Sequence, residues 1–251
     1  MVQELRSQNI PGRQLKHVEL KFCDLKNIFL EKAYLGEANL SFANLEGTNL
    51  SRANLYNANL EGANLSRANL IRTYLFDANL NGVNLSGSNL DGIDLFRANL
   101  NDANLSGTNL RNTEISDKTK LANKWRVIWE IVNQNANDKD LSREDLSNAD
   151  LRYVYFVEAR LVRAKLNGSH LNYANLTKAN LIGADLSNTK LLNADFTDAD
   201  LSAAIVENAR FGDNEGISEI MKRDLKSRGA IFEDSPGDLS KVYSPSPTPV
   251  K

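Results

Sequence analysis

A leucine stands at every fifth position from Leu15 to Leu110, Ile115 continues the series, and after an interruption the beat runs from Leu146 to Phe211 with Phe and Val admitted. Two residues before each beat the chain places Ala, or a small or β-branched residue such as Thr48, Val83 or Ile93, and Asn most often separates the two. In extended backbone, residues two apart point to one face, so the beat residue and the Ala face inward together while the Asn faces out. A period of five matches neither the 3.6 of a helix nor the plain alternation of a strand, so each unit reads as one short side followed by one corner. Asn, Asp, Gly and Ser crowd the flanking positions, as between Asn81 and Leu90, and these residues tolerate turn geometry.

The unit AlaAsnLeu plus two variable residues, as at residues 63–67, resembles the Ala(Asp/Asn)LeuXX signature of the pentapeptide repeat family. The resemblance implies an all-β solenoid, a right-handed quadrilateral β-helix with four units per coil. Residues 15–115 then hold 21 units and 146–211 hold 14, together roughly nine coils. Stacking at about 4.8 Å per coil gives a rod on the order of 40 Å long. All five prolines lie outside both arrays, at Pro11 and from Pro236 onward, so no unit loses a backbone donor.

The breaks in the beat divide the chain. Residues 1–14 carry Leu5 and Ile10 on the beat without the rest of the motif and read as an irregular N-terminal cap; residues 15–115 form array 1. Residues 116–140 are a helical insert, with Leu121, Trp125, Ile128 and Val132 at helical spacing and Trp129 beside them. Ile115 and Leu141 are 26 residues apart, so the beat returns shifted by one and the insert reads as a loop out of a corner. A similar Trp-containing excursion is a feature of cyanobacterial members of the family and points to that source. Array 2 spans 141–212. A C-terminal cap, 213–234, has a helix started by Ser218, with Ile217, Ile220, Met221 and Leu225 on one side and Gly229 at its end. Residues 235–251, rich in Pro and Ser, read as a disordered tail.

Composition narrows the chemistry. A net charge of −2 supplies no field to draw nucleic acid or an anionic membrane, and no stretch is apolar enough to span one. The protein therefore reads as soluble and cytoplasmic, with a monomer favoured. Cys23 is the sole cysteine, at a position where the pattern buries a small residue. His17 and His170 are the only histidines and lie far apart, so neither a histidine triad nor a multi-histidine metal site is available. The chain carries no phosphate loop and no dinucleotide fingerprint, and the rod offers no evident cleft for acid–base work. No enzyme activity, cofactor or metal is expected.

With four units per coil, residues twenty apart stack into columns. Most outward columns are polar. One side instead carries Tyr56, Phe76 and Phe96 just after the beat and Tyr34 and Tyr74 just before it, with Lys32, Arg52 and Arg72 stacked on the preceding side. Five outward aromatics exceed scattered exposure and mark a surface that will be covered. Either a protein partner covers it, with the cations setting orientation, or the insert helix lays Trp125 and Trp129 on it, or the rings ladder along the sheet and stay wet. Val162 and Ile182 extend the strip or belong to the adjacent side, depending on where array 2 resumes. Tyr153 and Tyr173 form a second, shorter column.

The leading reading is a non-catalytic scaffold whose rod presents the aromatic strip and the insert, Trp125 and Trp129 included, to an unidentified protein partner. The resemblance implies an alternative, since some members mimic B-form DNA and inhibit DNA gyrase, giving quinolone resistance. Array 1 carries nine lysines and arginines against eleven acids, which is weak charge for such mimicry.

Overall fold

The computed structural model describes residues 2–7 and 11–233. Its regular elements are α1 (Val2–Ser7), α2 (Asn123–Gln134), β1 (Arg210–Phe211), α3 (Glu219–Ser227) and β2 (Ile231–Phe232). Nearly everything else is a ladder of parallel bridges joining each unit to the one twenty residues later, from Gln14 with Tyr34 to Asp94 with Glu114 in the first stack. Leu35 N–H donates to Asn54 O at 2.7 Å, and Asn54 N–H returns to Ala33 O at 2.9 Å. Twenty residues therefore close one four-sided coil. We number the sides in chain order from that of Leu15, so that Leu20, Leu25 and Leu30 begin the second, third and fourth.

Each corner is a four-residue turn, at most corners closed from the beat carbonyl, as in Ala33 N–H to Leu30 O at 3.0 Å. Its third residue takes positive φ throughout, for example 57° at Lys32, 58° at Arg52 and 61° at Tyr153. That is the signature of a type II turn, and each non-glycine residue there costs on the order of 1 kcal/mol. Asn before the beat offsets this locally. Asn64 Oδ1 accepts the Ser66 N–H at 3.2 Å and the Asn84 amide at 3.1 Å, while its own amide donates to Asn44 at 3.3 Å. One side chain thus ties its corner and joins a rung to its neighbours. Where Thr replaces Ala inside, its hydroxyl finds a carbonyl: Thr48 Oγ1 donates to Leu25 O at 2.7 Å and Thr108 to Leu85 O at 2.8 Å.

The insert differs from a loop thrown out of a corner. One extra residue shifts the beat, and Lys120 still bridges Asn99, so the coil continues through Leu121 before α2 begins. Beyond the helix, Ala136 N–H already donates to Tyr155 O at 3.2 Å. Helix α2 is wedged between the two stacks and stitched to both. Trp125, Ile128 and Ile131 are buried in the common core. Trp129 Nε1 donates to Thr113 O at 2.9 Å, Asn133 Nδ2 to Leu110 O at 3.0 Å, and Lys124 Nζ reaches Asp145 at 3.1 Å and Ser147 at 2.8 Å. Among the described residues, one backbone hydrogen bond joins the stacks directly, Gly107 N–H to Asn148 O at 2.7 Å. It sets Leu146 above Leu105 on the third side. Leu141 consequently follows Leu121 on the second side, and Val162 and Ile182 lie on that side, next to the aromatic one.

Both ends are covered. The N-terminal lid is helical where irregular chain was expected, because α1 turns Leu5 down onto the first coil, where it is buried. At the other end the Ser218 hydroxyl accepts the Met221 N–H at 3.2 Å, and Leu225 is buried. Ile220, expected on the same face, is 76% exposed, since the short helix buries a stripe too narrow to include it. β2 pairs in parallel with β1, Ile231 with Arg210 and Phe232 with Phe211, adding a last rung to the fourth side. The expectation for residues 235–251 falls outside the described residues.

Candidate protein-binding surface

The first side gathers Tyr34, Tyr56, Tyr74, Phe76 and Phe96. Four of these rings are exposed and Phe76 is half-buried among them. Tyr56 stacks on Phe76 at 6.0 Å between centroids and Tyr74 on Phe76 at 6.1 Å, while the Arg97 guanidinium lies 5.5 Å from the same ring. Arg97 is itself held by Asp77 at 2.8 Å. The twenty-residue ladder makes this cluster, because Tyr56 and Phe76 occupy one position in consecutive coils.

Lys32, Arg52 and Arg72 stand on the corner that leads into this side, each exposed and each at positive φ. Lys32 is 3.5 Å from Glu31. Among the described residues Arg52 and Arg72 have no ion-pair partner. The structure thus brings the five rings and three cations into one strip. It does not bring Trp125 and Trp129 there: the first is buried, and the second is anchored through its ring nitrogen between the stacks. The insert helix leaves the strip uncovered.

A second group lies at the junction. The Asp150 carboxylate is 2% exposed and takes Arg152 in a two-point contact, Nε at 2.8 Å and Nη2 at 2.7 Å, with Arg111 Nη1 3.7 Å away. Burial pulls the Arg111 guanidinium below its usual range, and the Asp150 carboxylate opposes the shift. Arg111 Nη2 is buried without a hydrogen-bond partner. Beside it opens a cavity of about 350 Å³ lined by Arg111, the last turn of α2, Tyr153 and Tyr155. A rod without a cleft was expected; the wedge of α2 parts the coils here and makes one. Tyr153 and Tyr173 stack at 5.1 Å, 7° from parallel.

Sequence reasoning also missed Phe22 and Phe42, stacked at 5.4 Å with Lys21 Nζ 5.0 Å from the first ring. Their spacing of twenty was a legible signal. The approach of Arg111 to Asp150 had none, since it depends on how the insert returns the chain. Among the described residues no group of three or more His, Cys, Asp and Glu is placed to hold a metal ion, and no helix is long and apolar enough to cross a membrane.

Pentapeptide repeats match residues 14–52, 33–72, 53–92, 73–112, 145–181 and 179–213. No curated protein matches the chain. Among solved structures the chain is similar to HetL from the cyanobacterium Nostoc sp., a pentapeptide repeat protein involved in heterocyst differentiation regulation, at 30% identity over 80% of this chain and 90% of that one, with a TM-score of 0.40. It is similar to a pentapeptide repeat protein of the Arabidopsis thaliana thylakoid lumen at 24% identity, over 51% and 79%, with a TM-score of 0.32. It is similar to QnrB1, a plasmid-mediated fluoroquinolone resistance protein, at 15% identity over 93% of each chain, with a TM-score of 0.34. The five-residue beat, the bridges at twenty and the match across both arrays make this chain a member of the pentapeptide repeat family, whose fold is the right-handed quadrilateral β-helix.

Proposed function

We propose that the protein is a non-catalytic scaffold that binds another protein through its first side. The observation that carries this reading is a strip of five outward rings, four exposed and three stacked through Phe76, flanked by Arg52 and Arg72, which have no ion-pair partner among the described residues, and left uncovered by the insert helix. Aromatic rings supply contact area at little entropic loss, and unpaired guanidinium groups steer an acidic partner and fix its orientation. The backbone beneath is already ordered, so binding forfeits little further freedom. HetL, similar over most of its length, is described as involved in regulation, which fits a binding role.

The DNA-mimic reading is weaker. A surrogate for a polyanion needs dense negative charge, and array 1 is nearly balanced, with Arg52 and Arg72 exposed on it. Affinity capture with the full chain, with a Tyr56→Ala plus Phe76→Ala variant and with an Arg52→Glu plus Arg72→Glu variant tests the proposal. Both variants should lose a shared partner at least tenfold while keeping the wild-type circular dichroism spectrum. Retention of every partner by the folded variants refutes the site, and stoichiometric inhibition of gyrase supercoiling would favour the mimic instead.

A further inference from the structure

The first-side strip has a repeat as well as a composition, and the repeat selects among partners. Four successive coils each contribute a ring: Tyr34 in the first, Tyr56 in the second, Tyr74 with Phe76 in the third and Phe96 in the fourth. At 4.8 Å per coil the rings span about 14 Å along the rod. The corner leading into this side carries Lys32, Arg52 and Arg72, then Gly92 and Asn112, and in the second stack Tyr153 and Tyr173. The cationic row therefore stops after three coils, beside the first three that bear rings.

The acids around the strip are already engaged. Asp77 holds Arg97 at 2.8 Å, Asp91 accepts the Asn112 amide at 2.7 Å, and Asp94 accepts the Phe96 N–H at 2.8 Å. Glu31 stands 3.5 Å from Lys32, and Glu114 lies one coil beyond the last ring. Arg52 and Arg72 have no ion-pair partner among the described residues. A partner that lays carboxylates along this corner meets two unopposed charges.

The spacing of the two rows distinguishes a helix from a strand. An α-helix rises 1.5 Å per residue, so its positions i, i+3, i+7 and i+10 stand at about 0, 4.5, 10.5 and 15 Å. Four coils stand at about 0, 4.8, 9.6 and 14.4 Å, within about 1 Å at every rung. Those four helical positions fall within about 80° of one another and form one stripe. Positions i+1, i+4 and i+8 form a second stripe on the flank, rising in steps of about 4.5 and 6 Å, close to the repeat of the three cations. A β-strand returns to the same face only every 6.7 Å or so, and is about 4 Å out of step by the third rung.

We propose that the occupant of the first side is an acidic amphipathic α-helix of a partner protein. It lies along the rod axis, its apolar stripe on the four ring-bearing coils and its acidic flank on Lys32, Arg52 and Arg72. The inference rests on the protein-binding reading above and adds the secondary structure, axis and charge of what binds.

The probe is a designed helix of about 16 residues, cross-linked on its outward face because isolated helices this short are marginal in water. It carries leucines at i, i+3, i+7 and i+10, glutamates at i+1, i+4 and i+8, and a fluorescein label. Titrated by anisotropy onto the full chain, it should bind saturably and at least tenfold more tightly than each of three controls. These are the same helix with lysine for glutamate, an uncrosslinked peptide with leucines at alternate positions, and the helix interrupted by a central proline. Arg52→Glu plus Arg72→Glu should reverse the order of the glutamate and lysine helices, an outcome that a misfolded chain would not give. Tyr56→Ala plus Phe76→Ala should weaken the glutamate helix about tenfold, and Phe22→Ala plus Phe42→Ala, on another corner, should leave it unchanged. Absence of binding, equal binding of any control, or an unreversed charge preference overturns the proposal. Where the strip variants lose a captured partner and the glutamate helix still fails to bind, the scaffold reading stands and the helix alone is refuted.

Discussion

Replacing Asp150 by Asn keeps the shape of the side chain and removes the one carboxylate shared by two guanidinium groups. Arg152 loses its two-point contact, but its side chain is 43% exposed and water can replace much of what is lost. Arg111 is more deeply placed, with one terminal nitrogen buried and already unpartnered, so it keeps a charge with only the lesser pull of Asp91 left to balance it. Stranding a fully buried partner costs about 3–5 kcal/mol, and exposure of Arg152 reduces the expected loss to about 2 kcal/mol. By the relation of about 1.4 kcal/mol per factor of ten, the junction should open roughly thirtyfold more often. Hydrogen exchange should report this at the backbone amides around Asn148 and in α2, while the middle of array 1 stays protected. Urea unfolding should show a lower midpoint. Adding Arg111→Met to Asp150→Asn should recover part of the loss, because the stranded charge is then gone. An Asp150→Asn variant within about 0.5 kcal/mol of wild type, or a double variant no better than the single, refutes this account.

Three further outcomes follow from the fold. Asn64→Ala removes three hydrogen bonds, to Asn44, Asn84 and Ser66, and should cost about 1–3 kcal/mol in denaturant unfolding. Gly216 sits at φ 74° with the Thr197 and Phe196 backbone against the place a Cβ would occupy, so Gly216→Ala should destabilise the C-terminal coils well beyond Gly82→Ala, which meets open space and costs only about 1 kcal/mol of conformation; equal melting losses would contradict this. Burial holds His170 below its usual 6.5, with Lys190 and Arg152 acting in the same direction and Asp150 against them. The unfolded chain then binds the proton more readily, so the contribution of His170 is full above pH 6.5 and is lost as pH falls through the lower folded value. The melting temperature should drop between pH 7 and 5, and His170→Gln should flatten that drop.

The leucine beat made the coil legible, because each buried position has one chemistry and recurs at one spacing. The aromatic strip was legible for a related reason: Tyr56 and Phe76 are twenty apart, and twenty is the length of a coil. What stayed hidden was set by the insert. The apolar face of α2 announces that it will be buried and does not say against what; Trp129 ends on the carbonyl of Thr113, half-buried at the junction of the stacks rather than on the strip. Asp150 reads as one more corner acid until the return of the chain places it beside Arg111. Ile220 fits a helical stripe in the sequence and stays in water, because α3 is a short lid that only Leu225 fully buries.

The hydrogen bond from Gly107 to Asn148 fixes more than a join. Leu105 and Leu146 are forty-one residues apart, two coil lengths plus the one extra residue between Ile115 and Leu121, so both halves of the rod keep the same angular phase. An insert longer by five would leave each coil's interior intact and rotate the whole second half by a quarter turn. The junction tyrosines would then swing away from the edge bearing Arg52 and Arg72, while twenty added residues would lengthen the rod and keep them aligned. The length of the insert thereby decides which surfaces a single partner can meet at once.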